Sequence, residues 1–192
     1  KAQAVCVGEK HDDARYHWAQ LQILDQMTGG DNKVPMALGL EMLPYGVQGV
    51  LDDYTTGTID EETMLARSGW KDRWRIDWGF YQPILRLAKT RGLSILALNA
   101  PGEITRVVSR KGLDALPASD RAALPELDLK NDSHRAFFRR TMDETKHPLP
   151  KDGLERLYTS MVIWDETMAH HASEWLKTDK RRKVIIIAGS GH

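Results

Sequence analysis

The sequence predicts an α/β fold: a mostly parallel sheet flanked by helices, with a small all-helical insert domain. Three observations carry this. Four short apolar runs, at residues 4–7, 36–40, 93–98 and 184–187, suit strands buried on both faces. Helical stripes with short connections separate the first three runs. Residues 113–153 lack any strand pattern and are rich in charge and proline (Pro117, Pro125, Pro148, Pro150). The sheet domain is therefore assigned to residues 1–112 and 178–192, and the helical insert to residues 113–177.

The elements follow in order. After the first run, Asp12 or Asp13 can cap a helix reaching about Met27, with Trp18, Leu21, Leu24 and Met27 on one side; Gly29-Gly30 ends it. The second run follows. Thr58-Ile59-Asp60-Glu61 has the form of a capping box opening a short helix. A tryptophan-rich link (Trp70, Trp74, Trp78) leads to a stripe of Tyr81, Ile84, Leu85 and Ala88, closed by Gly92 just before the third run. Residues 102–110 read as a helix stopped by Gly112. Asp132 or Ser133 can cap a helix through about Thr145. The strongest helix spans residues 154–176, where Leu154, Leu157, Tyr158, Met161, Trp164, Met168, Ala172 and Trp175 repeat at three and four. Asp165 lies on the same stripe, and a carboxylate facing a core needs a partner.

Composition narrows the function classes. With 192 residues, 41% of them hydrophobic, the chain can build a core. Lys plus Arg and Asp plus Glu are both 27, and Lys180-Arg181-Arg182-Lys183 is the only basic run, so no nucleic-acid partner is expected. The single cysteine, Cys6, is expected to pack inside a buried strand. No stretch approaches the roughly 20 apolar residues of a membrane helix. The chain opens close to a strand and closes on a loop-forming motif, and is read as part of a longer protein.

All four runs stop at small polar motifs: Gly8-Glu9-Lys10-His11, Glu41, Asn99-Ala100-Pro101 and Gly189-Ser190-Gly191-His192. In open α/β sheets ligands bind outside the carboxyl ends of the strands. Parallel neighbours would bring Glu9, His11, Glu41, Asn99 and His192 to one edge. The two Gly-x-x-His motifs with two glutamates make a nitrogen and oxygen set suited to zinc, manganese or iron. Either glutamate can instead serve as a general base. The plain alternative is a hydrogen-bond network that only satisfies the sheet edge. His17 can reach that edge or sit partly exposed, and Tyr16 is expected to be exposed. Gly189-Ser190-Gly191 lacks the Lys-Ser or Lys-Thr of a phosphate loop. His134, His147, His170 and His171 are expected at the surface. Tyr81 and Tyr158 occupy apolar stripes, where a core tyrosine with a bonded hydroxyl is the default. Trp70, Trp74, Trp78, Met161, Met168 and Tyr158 would also suit a flat hydrophobic macrocycle.

Read in order, Gly8-Glu9-x-His11-Asp12 with His17 and Gln20, Leu40-Glu41-Met42, Tyr81-x-Pro83, Leu98-Asn99-Ala100-Pro101, Trp164-Asp165-Glu166-Thr167-Met168-Ala169 and Ala188-Gly189-Ser190-Gly191-His192 resemble the ChaN-like haem-binding proteins. That family belongs to a wider group with the Tiki proteases, TraB proteins and erythromycin esterases. The resemblance spans almost the whole chain. It departs at Tyr16, where many relatives carry histidine, and in stopping at His192, where relatives continue.

The resemblance implies bacterial haem or iron uptake and a periplasmic or outer-membrane-associated lipoprotein, anchored by a lipid outside this segment. It also implies haem held in pairs across a homodimer with a tyrosine ligand. For that ligand Tyr158 is the first choice and Tyr81 the second, with Trp164 and Met168 lining the haem. The alternative it implies is a metal-dependent hydrolase or peptidase. There Glu9, His11, Glu41 and His192 would bind a divalent transition metal or activate its water, with Asp165 in support.

Overall fold

A computed structural model describes residues 2–30, 34–145 and 151–192. His147, Pro148 and Pro150 lie outside them. The described chain forms two compact units, residues 1–99 with 171–190 and residues 100–170 with 191–192.

The first unit holds one parallel four-stranded sheet in the order β1 (Ala4–Glu9), β4 (Lys183–Gly189), β2 (Met36–Pro44), β3 (Ser94–Asn99). The four apolar runs are these four strands. Parallel neighbours need crossovers, and helices supply them. Helix α1 (Ala14–Thr28) joins β1 to β2. Helices α2 (Gln48–Thr56), α3 (Glu61–Ser68), α4 (Trp70–Arg73) and α5 (Trp78–Thr90) join β2 to β3.

Leu38, Leu40, Ile95, Ala97, Ile185 and Ile187 build the core on one sheet face with Leu24 of α1, Leu51 and Tyr54 of α2, Met64 of α3 and Trp70 of α4. The buried stripe of α5 is Tyr81, Ile84, Leu85 and Ala88, as its spacing requires. Central β2 is buried along almost its whole length. Edge strand β1 alternates instead. Val7 packs on the core, so Val5, Val7 and Glu9 face inward and Ala4, Cys6 and Gly8 face outward. Cys6 is therefore exposed, contrary to the expectation that it packs in a buried strand.

Asp13 caps α1 through the Arg15 backbone N–H, and Arg15 holds its carboxyl down at about 2. For α3 the cap is Asp60, accepting from Thr63 N, rather than Thr58.

The second unit contains helices α6 (Gly102–Lys111), α7 (Ala118–Ala122), α8 (Asp132–Thr145) and the first part of α9 (Lys151–Lys177). Asn131 caps α8, its side chain accepting from His134 N at 3.0 Å, one residue before the expected start. Ile104, Val108, Leu116 and Ile163 form one core here; Phe138, Tyr158 and Val162 form another. Among the described residues no helix is long and apolar enough to cross a membrane.

Candidate functional site

The sheet unit gathers a polar cluster at the carboxyl end of β1. Glu9 closes that strand on the inward side and is 1% exposed. A buried carboxylate is costly unless hydrogen-bonded, and three donors meet this one. The Tyr81 hydroxyl donates to Oε1 in a very short bond. His11 Nδ1 lies 2.7 Å from the same oxygen, and Gln20 Nε2 donates to Oε2 at 2.7 Å.

Each partner is placed by its own element. Tyr81 sits on the inward stripe of α5. His17 and Gln20 share the buried face of α1, three residues apart. His17 Nε2 meets the His11 carbonyl at 3.0 Å, and its Nδ1 meets Gln20 Oε1 at 3.2 Å. The His17 ring stacks on Phe80 and meets Tyr81 edge-on. His17 is thus buried at 3% exposure rather than partly exposed. Burial, then the Glu9 hydrogen bond, pushes the Tyr81 phenol far above its ordinary pKa, so it stays a donor.

His11 leaves this network towards Glu41. A carboxylate only accepts, so His11 Nδ1 donates to Glu9. Nε2 lies 4.0 Å from Glu41 Oε1. Glu41, in β2, is anchored through Oε2 to the backbone N–H of Gly189 at 2.6 Å. That glycine is required by proximity, because a Cβ there would stand 2.9 Å from two His11 ring atoms and 3.4 Å from Glu41 Oε2. Trp74 meets the His11 ring edge-on at 4.7 Å.

A second cluster lies in the helical unit. Asp165 accepts from two histidines: His192 Nδ1 at 2.5 Å on Oδ1 and His134 Nε2 at 2.7 Å on Oδ2. These are the partners its stripe position demanded. His134 also meets the Tyr158 hydroxyl at 3.3 Å. Its side chain is 24% exposed, so it is a network member rather than a plain surface histidine. Tyr158 is 1% exposed and packs on Phe138 under the Arg135 guanidinium; burial raises its pKa. Trp164 is half-buried, edge-on to the His192 ring, and Met168 is buried at 6%.

Of the residues picked from sequence, the structure brings Glu9, His11 and Glu41 together. His192 pairs with Asp165 in the other unit, and Asn99 ends β3, half-buried. Among the described residues no group of three or more His, Cys, Asp or Glu side chains is arranged to hold a metal ion. Tyr81 belongs to the Glu9 network and Tyr158 to the His134 network. Sequence reasoning gave Gln20 and Trp74 no role at this site. The first was detectable from its spacing to His17; the second had no local signal.

Comparison with known proteins places these motifs. The solved structure described as cofacial heme binding to ChaN of Campylobacter jejuni superposes with a TM-score of 0.75 at 21% identity, covering 100% of this chain and 72% of that one. The Arabidopsis thaliana protein RETICULATA-RELATED 5, chloroplastic, is 26% identical over 87 residues, 45% of this chain and only 11% of that protein. The family described as "Haem-binding uptake, Tiki superfamily, ChaN" matches residues 1–192. The chain belongs to this ChaN family of haem-binding uptake proteins.

Proposed function

We propose that this protein binds haem through a tyrosine ligand as part of bacterial haem uptake. The observation that carries the reading is the family match over all 192 residues. A ferric haem supplies an open axial position that a phenolate oxygen can fill. The donor must reach the surface, and this sorts the five tyrosines. Tyr54, Tyr81 and Tyr158 are 2%, 0% and 1% exposed. The two ligand choices made from sequence, Tyr158 and Tyr81, have their hydroxyls committed inside the protein. Tyr16, on α1, is 38% exposed, and Tyr45 is half-buried with its ring 4.7 Å from that of His171. A tyrosine that is not fully buried and has a ring neighbour fits the group, which favours Tyr45, with Tyr16 second.

The test is a haemin titration of wild type and of Tyr16→Phe, Tyr45→Phe, Tyr81→Phe and Tyr158→Phe. The wild type is expected to show a saturable Soret shift and a high-spin ferric band. Tyr45→Phe is expected to remove the band. Loss in Tyr158→Phe or Tyr81→Phe alone would return the ligand to a core tyrosine reached by opening of the fold. No saturable shift in the wild type would end the haem reading.

A homodimer with haem between its subunits is proposed alongside, because a flat macrocycle held by one surface phenol leaves a large apolar face to cover. Sedimentation with and without haemin tests it. An extracytoplasmic, lipid-anchored location is proposed as well, and fractionating cells that express the gene tests it. The metal-dependent hydrolase reading has the Glu9–His11–Glu41 cluster in its favour but no three-ligand arrangement among the described residues.

A further inference from the structure

The haem reading gives Tyr45 a role and leaves its neighbour without one. Tyr45 opens the 3₁₀ turn Tyr45–Val47, directly after β2. Its ring therefore stands at the carboxyl end of a central strand, where open α/β sheets bind ligands. His171 lies towards the end of α9 and belongs to the same sheet unit. The two rings are 4.7 Å apart between centroids and tilted by 33°, and both residues are half-buried. As packing, the contact only ties the turn to the helix, and any flat apolar ring would do that. This pair instead sets a ring with an oxygen donor beside a ring with nitrogen donors.

Two further features bear on the pair. Gly46, next to Tyr45, is exposed, and a Cβ built on it would meet no atom within 4 Å. The backbone beside the phenol is thus open, and a flat macrocycle can lie against it. The spacing of the rings also decides how both can serve one iron. Metal–ligand bonds of about 2 Å put the donor atoms of ligands on opposite faces about 4 Å apart, with each ring reaching outward from there. Rings 4.7 Å apart between centroids are too close for that arrangement and are placed to alternate on one face. In a neutral imidazole one nitrogen can donate its hydrogen inside the fold while the other keeps the lone pair that iron needs.

Resting on the haem reading, we propose that Tyr45 and His171 are alternative iron ligands on one face of the haem, Tyr45 for the ferric state and His171 for the ferrous state. The harder ferric ion favours the anionic phenolate oxygen, and the softer ferrous ion favours the neutral imidazole. The exchange takes one electron from a low-potential reductant, which converts iron from ferric to ferrous. The Tyr45 oxygen keeps the electron pair of its bond to iron and takes a proton from water. A lone pair on a His171 nitrogen fills the vacated position. Reoxidation, with loss of the same proton, restores the phenolate. A phenolate alone would let haem go on reduction; the second ligand lets the site hold it in both states.

The test adds haemin to the 192-residue protein and reduces it with dithionite under nitrogen, followed by absorbance, resonance Raman and passage through a desalting column. Wild type is expected to keep haem in both states and to show an iron–imidazole stretch only when reduced. His171→Ala should bind ferric haem as wild type does, lose haem on reduction, and regain it when imidazole is added. Tyr45→Phe should do the reverse, failing with ferric haem and holding ferrous haem. The exposed His170→Ala should match wild type. Thermal melts of the haem-free variants separate loss of a ligand from loss of fold. A reduced wild type without the iron–imidazole stretch, or the same stretch in His171→Ala, overturns the proposal and leaves ferric binding by Tyr45 standing. A ferric band that survives in Tyr45→Phe removes the Tyr45 reading and this inference with it.

Discussion

At the residue scale the molecule depends on a few buried polar groups whose partners come from side chains and backbone far apart in the sequence. Glu9 is the extreme case, 1% exposed with Tyr81, His11 and Gln20 bonded to it. Removing one donor leaves the buried carboxylate under-satisfied. Tyr81→Phe is therefore expected to cost about 1–3 kcal/mol, read from the urea midpoint at constant m. An unchanged midpoint would mean that the phenol only fills space. Gly189→Ala tests a different constraint. Its Cβ would press on the His11 ring, so the imidazole must move, and a changed His11 nitrogen-15 spectrum in a folded variant is the expected result. The sequence showed Tyr81 and Tyr158 on apolar stripes and so favoured core tyrosines with bonded hydroxyls, and both are such. It could not show which oxygens remain accessible, because exposure depends on elements far away in the chain. The two Gly-x-x-His motifs make the same point. His11 folds back on Glu9, two residues before it, whereas His192 finds Asp165, 27 residues away on α9. Equal local patterns end in different networks because tertiary packing chooses the partner.

At the scale of elements, legibility follows periodicity. The β-branched and aliphatic runs gave all four strands, and the three-and-four spacing of Tyr81, Ile84, Leu85 and Ala88 gave the buried face of α5 without error. Helix starts were less legible. Thr58 and Asp60 both carry capping oxygens, and only the backbone turn decides that Asp60 reaches the Thr63 N–H. Cys6 was misplaced for a related reason. A four-residue apolar run looks the same in a central and an edge strand, and strand order is not written in it. Helix α1 illustrates how packing rather than capping holds an element. Asp13 caps it, but Leu24, fully buried against the sheet, anchors its second half. Leu24→Ala is expected to destabilise by about 2–5 kcal/mol, through lost burial and the cavity left behind. Chemical denaturation measures it, and a cost near zero would show that α1 repacks freely. Asp13→Ala should lower the melting temperature much less, since it removes a helix cap and no core packing.

Across the whole molecule the buried phenols set a limit at high pH. Tyr54 and Tyr81 in the sheet unit and Tyr158 in the helical unit all have pKa values raised from 10.0, with burial the largest cause in each. A raised phenol pKa means that the folded chain holds its proton more tightly than the unfolded chain does. The contribution of these tyrosines is complete below pH 10, the unfolded value, and declines above it as the unfolded state gains by ionising. Stability is therefore expected to fall steadily from about pH 10 upwards. Thermal melts between pH 8 and 12 should show it, with absorbance at 295 nm rising for the buried tyrosines only as the chain unfolds. Tyr81→Phe should flatten this decline even though it lowers stability at neutral pH, because it removes one of the ionisations that favour the unfolded chain. Early, fully reversible ionisation of all five tyrosines with the fold intact would contradict the buried placement of Tyr54, Tyr81 and Tyr158. It would also reopen the core tyrosines as ligands for haem iron.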